Sequence, residues 1–194
     1  MKSLVVAGFV VILALASSAN GWAQGIGGGA KIGVNFSTVS GDIEAEKSLR
    51  TGLLVGGFLT VPKGNTLAFQ PEVLFSMQGV KGEEADGTKL TYEINEIQIP
   101  LLLRVGRSGG GTHLLLGPSI GIVTSAKATS GSLEQDIKDD LKSTDIGFIV
   151  GAGVTVNRFL IEARYNLGLT NLNDDSSGGD NKSRVFSVLV GVGL

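Results

Sequence analysis

The sequence has 194 residues, a length that allows one domain with a sizeable core or one closed barrel. Its formal net charge of −2 gives no support to nucleic-acid binding. Its 30 glycines and low charged fraction of 18% are typical of a Gly-rich, strand-forming chain. The absence of cysteine excludes disulfide scaffolds, cysteine-ligated zinc and thiol nucleophiles, and beyond residue 16 no apolar run approaches the roughly 20 residues of a membrane-spanning helix.

The first 23 residues have the pattern of a secretory signal peptide. Lys2 supplies a positive start, residues 4–16 form an uncharged apolar stretch, and Gly21 and Ala23 are the small residues that a signal peptidase requires before its cleavage site. We therefore expect residues 1–23 to be a signal peptide, cleaved after Ala23 on export, and residues 24–194 to form the mature domain. A buried N-terminal helix is the alternative.

The mature chain alternates apolar and other residues with a period of two, which indicates strands. The stretch 67–78 is the clearest, because its second face carries Gln70, Glu72 and Gln78. Near Asn95 the alternation changes phase, which predicts a β-bulge there. Eight strands follow from this pattern, at residues 30–36, 53–61, 67–77, 97–105, 114–122, 146–156, 159–169 and 186–194.

The connections between these strands alternate in length and in charge. Long polar connections are predicted at residues 37–50, 80–89, 127–145 and 170–184, and short ones near residues 62–65, 107–111 and 157–158. Fourteen of the 18 acidic residues lie in the long connections, whereas the short ones carry Lys63, Arg107 and Arg158 and no acid. This pattern is typical of an up-and-down outer-membrane barrel with both termini at the short-turn end. We expect Asp139 and Asp175 outside the cell.

The face opposite the apolar face carries a balanced set of charges. Its three positive and three negative side chains are Lys31, Arg104, Arg164, Glu72, Glu96 and Glu162. In a membrane barrel these groups point inward and must neutralise one another, so we predict an interior ion-pair network of the three glutamates with Arg104 and Arg164. Eight strands leave an interior that side chains can fill. The alternatives are a narrow passive pore and a soluble, periplasmic lipocalin-like carrier with an apolar ligand inside.

Several segments resemble the PorT-like outer-membrane β-barrel family. They are Gly33–Ser37 (GVNFS), Gln70–Gly79 (QPEVLFSMQG), Ile97–Leu103 (IQIPLLL), Gly117-Pro118 and Arg164–Asn171 (RYNLGLTN). The resemblance covers essentially the whole mature chain and implies an eight-stranded barrel in a Gram-negative outer membrane. It does not carry over a role in protein secretion. One departure is the final residue, Leu194, where such barrels usually have an aromatic residue.

Few residues have the spacing of a chemical site. His113 is the single histidine, which excludes a His-centred metal site, and its position beside a basic short turn predicts a surface or girdle role. Asp174, Asp175 and Asp180 offer oxygen ligands for calcium, but their spacing matches no defined calcium loop. We therefore expect a solvated loop there.

The third long connection contains one helical pattern. Leu133, Ile137 and Leu141 recur every four residues, which predicts a short amphipathic helix. Such a helix would shield the barrel mouth, meet a partner, or pack within the loop.

Together these patterns predict an all-β protein, an eight-stranded antiparallel up-and-down transmembrane barrel in the outer membrane. We expect no catalytic, cofactor-binding or metal-binding residues, and therefore a non-enzymatic protein with an envelope-structural or loop-mediated binding role. The expected partners are outer-membrane lipid and an extracellular or envelope protein that contacts the long loops, and not nucleic acid.

Overall fold

The computed structural model describes residues 25–40, 50–83, 89–107, 110–130, 133–136, 144–170 and 182–194. Within these ranges it has nine strands: β1 Gly27–Ser40, β2 Arg50–Lys63, β3 Leu67–Glu83, β4 Lys89–Gly106, β5 Gly111–Ser130, β6 Leu133–Asp136, β7 Thr144–Val156, β8 Phe159–Gly168 and β9 Lys182–Gly193. In the same ranges, no helix is long and apolar enough to cross a membrane. The predicted signal peptide lies outside the described residues.

Eight strands close into an antiparallel barrel, and only the short β6 stands outside it. Neighbours in sequence pair with one another, β5 pairs with β7, and β1 pairs with β9 to close the sheet. Leu194 N donates to Gly28 O at 2.8 Å, and Gly193 N donates to Arg158 O at 2.7 Å. The first and last barrel residues therefore lie at the end that carries the three short turns, as predicted. We call this the short-turn end and the opposite one the long-loop end.

The two faces of the sheet have opposite polarity. Large apolar side chains are exposed on the outside of every barrel strand, among them Ile32, Leu53, Phe69, Ile97, Leu116, Val150, Ile161 and Phe186. Polar and charged side chains are buried inside, among them Lys31, Asn35, Gln70, Glu72, Glu162 and Arg164. Because strand side chains alternate, the period-two pattern had predicted both faces. An apolar exterior around an interior that contains packed charged side chains contradicts the alternative of a soluble carrier with an apolar lumen.

The strands run further toward the long-loop end than the sequence predicted. Residues 37–40, 80–83 and 127–130, which the pattern assigned to loops, continue β1, β3 and β5. The β3–β4 pairing extends to Glu83 and Lys89. Polar residues hid this extension from the sequence pattern, yet pairing satisfies their backbone groups as well as those of apolar residues. The predicted bulge is confirmed by a register shift between Asn95 and Glu96.

The helix predicted over residues 133–141 is wrong where the structure describes it. Leu133–Asp136 forms β6, which pairs antiparallel with residues 127–130 of β5. The pairing of Ser130 with Leu133 leaves Gly131 and Ser132 as a two-residue connection, which is a known hairpin signal. Pairing with the free edge of β5 therefore outweighs the four-residue apolar spacing that predicted a helix. Ile137 and Leu141, the later residues of that spacing, lie outside the described residues.

Candidate functional site

Four charged side chains meet in the middle of the lumen, and we call them the charge layer: Lys31 of β1, Glu72 of β3, and Glu162 and Arg164 of β8. Lys31 Nζ lies 2.8 Å from Glu72 Oε1 and 2.8 Å from Glu162 Oε2. Arg164 Nη1 and Nη2 donate to the two oxygens of Glu72 at 2.7 Å each, and Nη2 also donates to Glu162. Each cation therefore contacts both carboxylates.

The charge layer is buried, and its formal charges balance. Its four side chains are at most 3% exposed, and two positive charges oppose two negative ones. Buried charges are tolerated when each has opposite partners, and all four have them, although Arg164 Nε is buried without a hydrogen-bond partner among the described residues. The contacts join β1 to β3 and β8, neither of which is its neighbour in the sheet, so the side chains reach across the lumen rather than along one wall.

Three further side chains surround the charge layer. Gln70 Nε2 donates to Glu72 Oε1 at 2.7 Å, and Lys31 Nζ lies 4.4 Å from the centre of the Phe58 ring. His113 Nε2 lies 3.4 Å from Glu162 Oε1, and His113 is 4% exposed. The predicted surface or girdle role of His113 is therefore wrong, because its side chain points into the lumen. Leu115, two positions further along β5, also points into the lumen, and strand residues two apart lie on the same face. This relation could have predicted the orientation of His113.

The predicted ion-pair network is confirmed for part of its members. Glu72, Glu162 and Arg164 belong to it, but Arg104 is only half-buried and donates to Thr155 Oγ1 at 3.1 Å. Glu96 is buried further toward the long-loop end and accepts a hydrogen bond from Gln78. Lys31 takes the place that the sequence assigned to Arg104, because Lys31 lies at the same depth as both carboxylates whereas Arg104 lies nearer the short turns.

Glycines on the inner face make room for the charge layer. A Cβ atom at Gly153 would lie 2.7 Å from both Glu162 Cγ and His113 Nε2, and one at Gly191 would lie 3.0 Å from Lys31 Cγ. Both distances are shorter than an ordinary contact between a Cβ and a heavy atom. The inward glycines of the sequence therefore give space to long charged side chains, and the lumen is filled rather than open at this depth.

A second, uncharged network fills the lumen on the long-loop side of the charge layer. Asn35 Nδ2 donates to Ser76 Oγ at 2.9 Å, Ser187 Oγ donates to Asn35 Oδ1 at 2.7 Å, and Gln78 Nε2 donates to Ser76 Oγ at 3.1 Å. Buried Leu54, Leu74 and Leu189 pack beside it, and Leu102, Leu115 and Ile149 form a second cluster. A void of about 10 Å³ in this region is no larger than one water molecule needs.

One ion pair lies at the mouth of the long-loop end. Arg50 Nη2 lies 2.6 Å from Glu93 Oε1, and Arg50 Nη1 donates to Gln78 O at 2.9 Å. The sequence pattern placed Arg50 in a loop, whereas it is the buried first residue of β2. The pair links β2 to β4 across β3 and holds the three strands together where they leave the barrel.

No group of three metal-ligating side chains comes together in the part of the chain that the structure describes. The aspartates considered for calcium, at positions 174, 175 and 180, lie outside that part. In the charge layer both carboxylates are already held by cations, so that layer serves to fill and neutralise the interior. Glu96, by contrast, contacts no cation among the described residues. The expected absence of catalytic, cofactor-binding and metal-binding residues stays a prediction.

The sequence matches the family model described as outer membrane protein beta-barrel domain over residues 20–174. This match confirms the broad family, while the PorT-like subfamily stays a prediction. The search of curated proteins found no match to the sequence.

Solved structures of small outer-membrane barrels share the fold. Ail of Yersinia pestis superposes with a TM-score of 0.53 at 18% identity, covering 89% of this chain and 100% of Ail. OprG of Pseudomonas aeruginosa gives 0.50 at 14% identity, covering 87% and 92%, and Neisserial surface protein A gives 0.50 at 14%, covering 87% and 99%. At these identities the likeness shows a common eight-stranded architecture.

Proposed function

Because the chain belongs to the outer membrane protein beta-barrel domain family, we propose that it is a non-enzymatic barrel, closed to ions, whose long-loop end binds another protein. The protein lies in the outer membrane, where the apolar outer face of its strands contacts lipid. A closed lumen and a protein-binding surface are separate properties of the barrel, and separate experiments test them.

The observation that supports a closed lumen is the double contact of Lys31 with Glu72 and Glu162. These residues lie on β1, β3 and β8, so their side chains cross the interior, and the leucine clusters and the uncharged network fill the space beyond them. A permeating ion would have to displace fully buried, mutually neutralised charges, which costs far more than separating the same charges in water. A passive pore would instead need water around these groups.

Potassium flux from liposomes tests the closed lumen. The purified mature protein, reconstituted into potassium-loaded phosphatidylcholine liposomes, should give a flux close to that of protein-free liposomes. A general porin reconstituted at the same protein-to-lipid ratio provides the positive control. Flux comparable to the porin would support the alternative of a passive pore and would contradict the proposal.

Two observations support binding at the long-loop end. The β3–β4–β5 sheet continues past the bulge at Asn95, and β6 adds a fourth strand to it, which forms a firm base for the loops. Fourteen of the 18 acidic residues lie in or beside those loops, which favours a partner with a basic surface. The structure of Ail in complex with the heparin analogue sucrose octasulfate shows that a barrel of this fold can bind an anionic ligand. The acidic residues of the loops of this protein instead favour a positively charged partner.

Immobilised poly-lysine and heparin test the sign of the partner. The protein in phosphatidylcholine nanodiscs should bind poly-lysine in a salt-dependent manner and should not bind heparin. Replacing Asp174, Asp175 and Asp180 together by asparagine should weaken the binding to poly-lysine. Binding to heparin, or binding to poly-lysine that the triple substitution leaves unchanged, would contradict the proposed surface.

A further inference from the structure

A cavity of about 390 Å³ lies inside the barrel at the short-turn end. Turn residues Gly110, Asn157 and Arg158 line its opening, and Phe58 and Leu160 line its inner part, next to the charge layer. The cavity therefore opens along the barrel axis into water rather than sideways into lipid. Its volume lies in the range of sites that bind small molecules, roughly 300–1,000 Å³.

The lining of this cavity is positive. It includes Arg104, Arg107 and Arg158, and no aspartate or glutamate is among the described residues that line it. Even with a main-chain carboxylate at Leu194 counted against them, three guanidinium groups leave an excess of positive charge.

Glu162 attracts Arg104 electrostatically, but the nearby carboxylates are shared with other cations and do not offset the three arginines in full. Glu72 and Glu162 are each held by both Lys31 and Arg164, so the charge layer is balanced without help from the cavity. Arg104, the innermost of the three arginines, donates to Thr155 Oγ1 at 3.1 Å, and its Nη2 lies 3.4 Å from His113 Nδ1. Arg104 therefore forms no direct ion pair with the described residues, and an anion in the cavity would supply one.

The cavity also has an apolar part. Phe58 and Leu160 lie at its inner end, and Pro62, Leu67 and Ala68 lie along one wall. Guanidinium groups match the geometry of carboxylate and phosphate oxygens, and Arg binds both in a bidentate manner. We propose that the short-turn cavity is a binding site for a small water-borne organic anion, with its phosphate or carboxylate on Arg104 and its apolar part against Phe58 and Leu160.

Calorimetric titration with phenyl phosphate tests this site on the protein in phosphatidylcholine nanodiscs. We expect binding of one molecule per barrel, weakened by added salt, and no binding of benzyl alcohol, which has the ring without the charge. Arg104→Gln should weaken binding about tenfold or more, because it removes the innermost charge. Lys63→Gln is the matched control, since it removes a positive charge at the same end from a residue that does not line the cavity, and it should change affinity less than about twofold.

A second variant tests the cavity without changing its charge. Thr60 lines the cavity and faces inward, so Thr60→Phe should fill part of the space and weaken binding while all three arginines remain. Heat-modifiable gel mobility checks that each variant is folded. The proposal is overturned if the folded wild-type protein does not bind phenyl phosphate at millimolar concentration, or if Lys63→Gln weakens binding as much as Arg104→Gln. It is also overturned if NMR spectra recorded during the titration show the backbone amide signals of lipid-facing residues changing, rather than those of Phe58, Thr155 and Leu160. None of these outcomes depends on whether the barrel conducts ions or binds poly-lysine.

Discussion

The guanidinium group of Arg164 donates to both carboxylate oxygens of Glu72, at 2.7 Å each, although 92 positions separate the two residues in the chain. The pair joins β8 to β3 across the lumen, and Lys31 completes it by contacting Glu72 and Glu162 from β1. An eight-stranded barrel has an interior that its own side chains can fill. Here part of the filling is a balanced set of charges, and we expect both the stability of the barrel and its closure to ions to depend on the same four residues.

Removing one cation from the charge layer should destabilise the barrel strongly. In Arg164→Ala, both buried carboxylates lose the guanidinium group and share the single charge of Lys31, and leaving a charge buried without its partner typically costs about 3–5 kcal/mol. The free energy of unfolding, measured by denaturant titration in lipid vesicles, should fall by that amount. Arg158→Ala, at an exposed turn, is the control and should change it little. Equal effects of the two substitutions would show that the charge layer is not a buried network.

Arg104→Ala should have a clearly smaller effect than Arg164→Ala. Arg104 is half-buried and contacts Thr155 and His113, so its loss leaves no carboxylate unpaired. This expectation corrects the sequence-based one, which treated Arg104 as a partner of the interior glutamates. The same denaturant titration distinguishes the two assignments. If Arg104→Ala lowered the free energy of unfolding as much as Arg164→Ala, Arg104 would be a partner of the interior glutamates after all.

Removing an opposite pair should cost less than the two single losses together. In Glu72→Gln combined with Arg164→Met, the remaining Lys31 and Glu162 still contact each other at 2.8 Å, so the layer stays neutral. A double-mutant cycle should therefore show a coupling energy between positions 72 and 164 in the range of about 0.5–3 kcal/mol for residues in direct contact. Strict additivity of the two single substitutions would contradict the contact.

The two faces of β7 should respond differently to the same added volume. Gly153→Val places a side chain against Glu162 and His113, where even a Cβ would lie only 2.7 Å away, so we expect slower folding and lower stability. Ala152→Val changes the preceding residue, which is exposed on the apolar outer face and should tolerate the added volume. Heat-modifiable mobility of both variants after refolding gives the comparison. A well-folded Gly153→Val barrel would show that the lumen has room at this depth.

The orientation of the barrel can be tested with single cysteines, because the chain has none of its own. Short turns and termini of such barrels face the periplasm, so Lys63→Cys and Arg158→Cys should react with an impermeant thiol reagent only after the cells are broken. Asp139→Cys and Asp175→Cys should react on intact cells. The reverse labelling would place the short-turn end, and with it the positive cavity, outside the cell.

The sequence predicted the side of the sheet for nearly every interior residue, because strand side chains alternate with a period of two. Glu72, Glu162 and Arg164 are inward for this reason, and the same rule, applied to His113, would have placed it inward as well. The parity of a residue does not say at what depth it lies. Depth depends on the stagger between strands, which decides that Lys31 and not Arg104 meets the carboxylates.

The conformation of the loop bases was not predictable from apolar periodicity. Residues 80–83 and 127–130 contain Lys81, Glu83 and Lys127 and show no apolar alternation, so the pattern ended there, although the backbone ladders continue. Leu133–Asp136 pairs with β5 through the short Gly131-Ser132 connection, a signal that competed with the spacing of Leu133, Ile137 and Leu141. Beyond the membrane, backbone pairing rather than side-chain polarity determines where a strand ends.

The most direct test of the closed lumen is single-channel recording in planar bilayers, with the wild-type protein compared with a variant in which the layer is emptied. That variant combines Lys31→Ala, Glu72→Ala, Glu162→Ala and Arg164→Ala, which removes the charges in balanced pairs. We predict no channel steps from the wild-type protein and small, reproducible steps from the folded variant. Stable steps of equal size from both proteins would contradict the claim that these four side chains close the barrel.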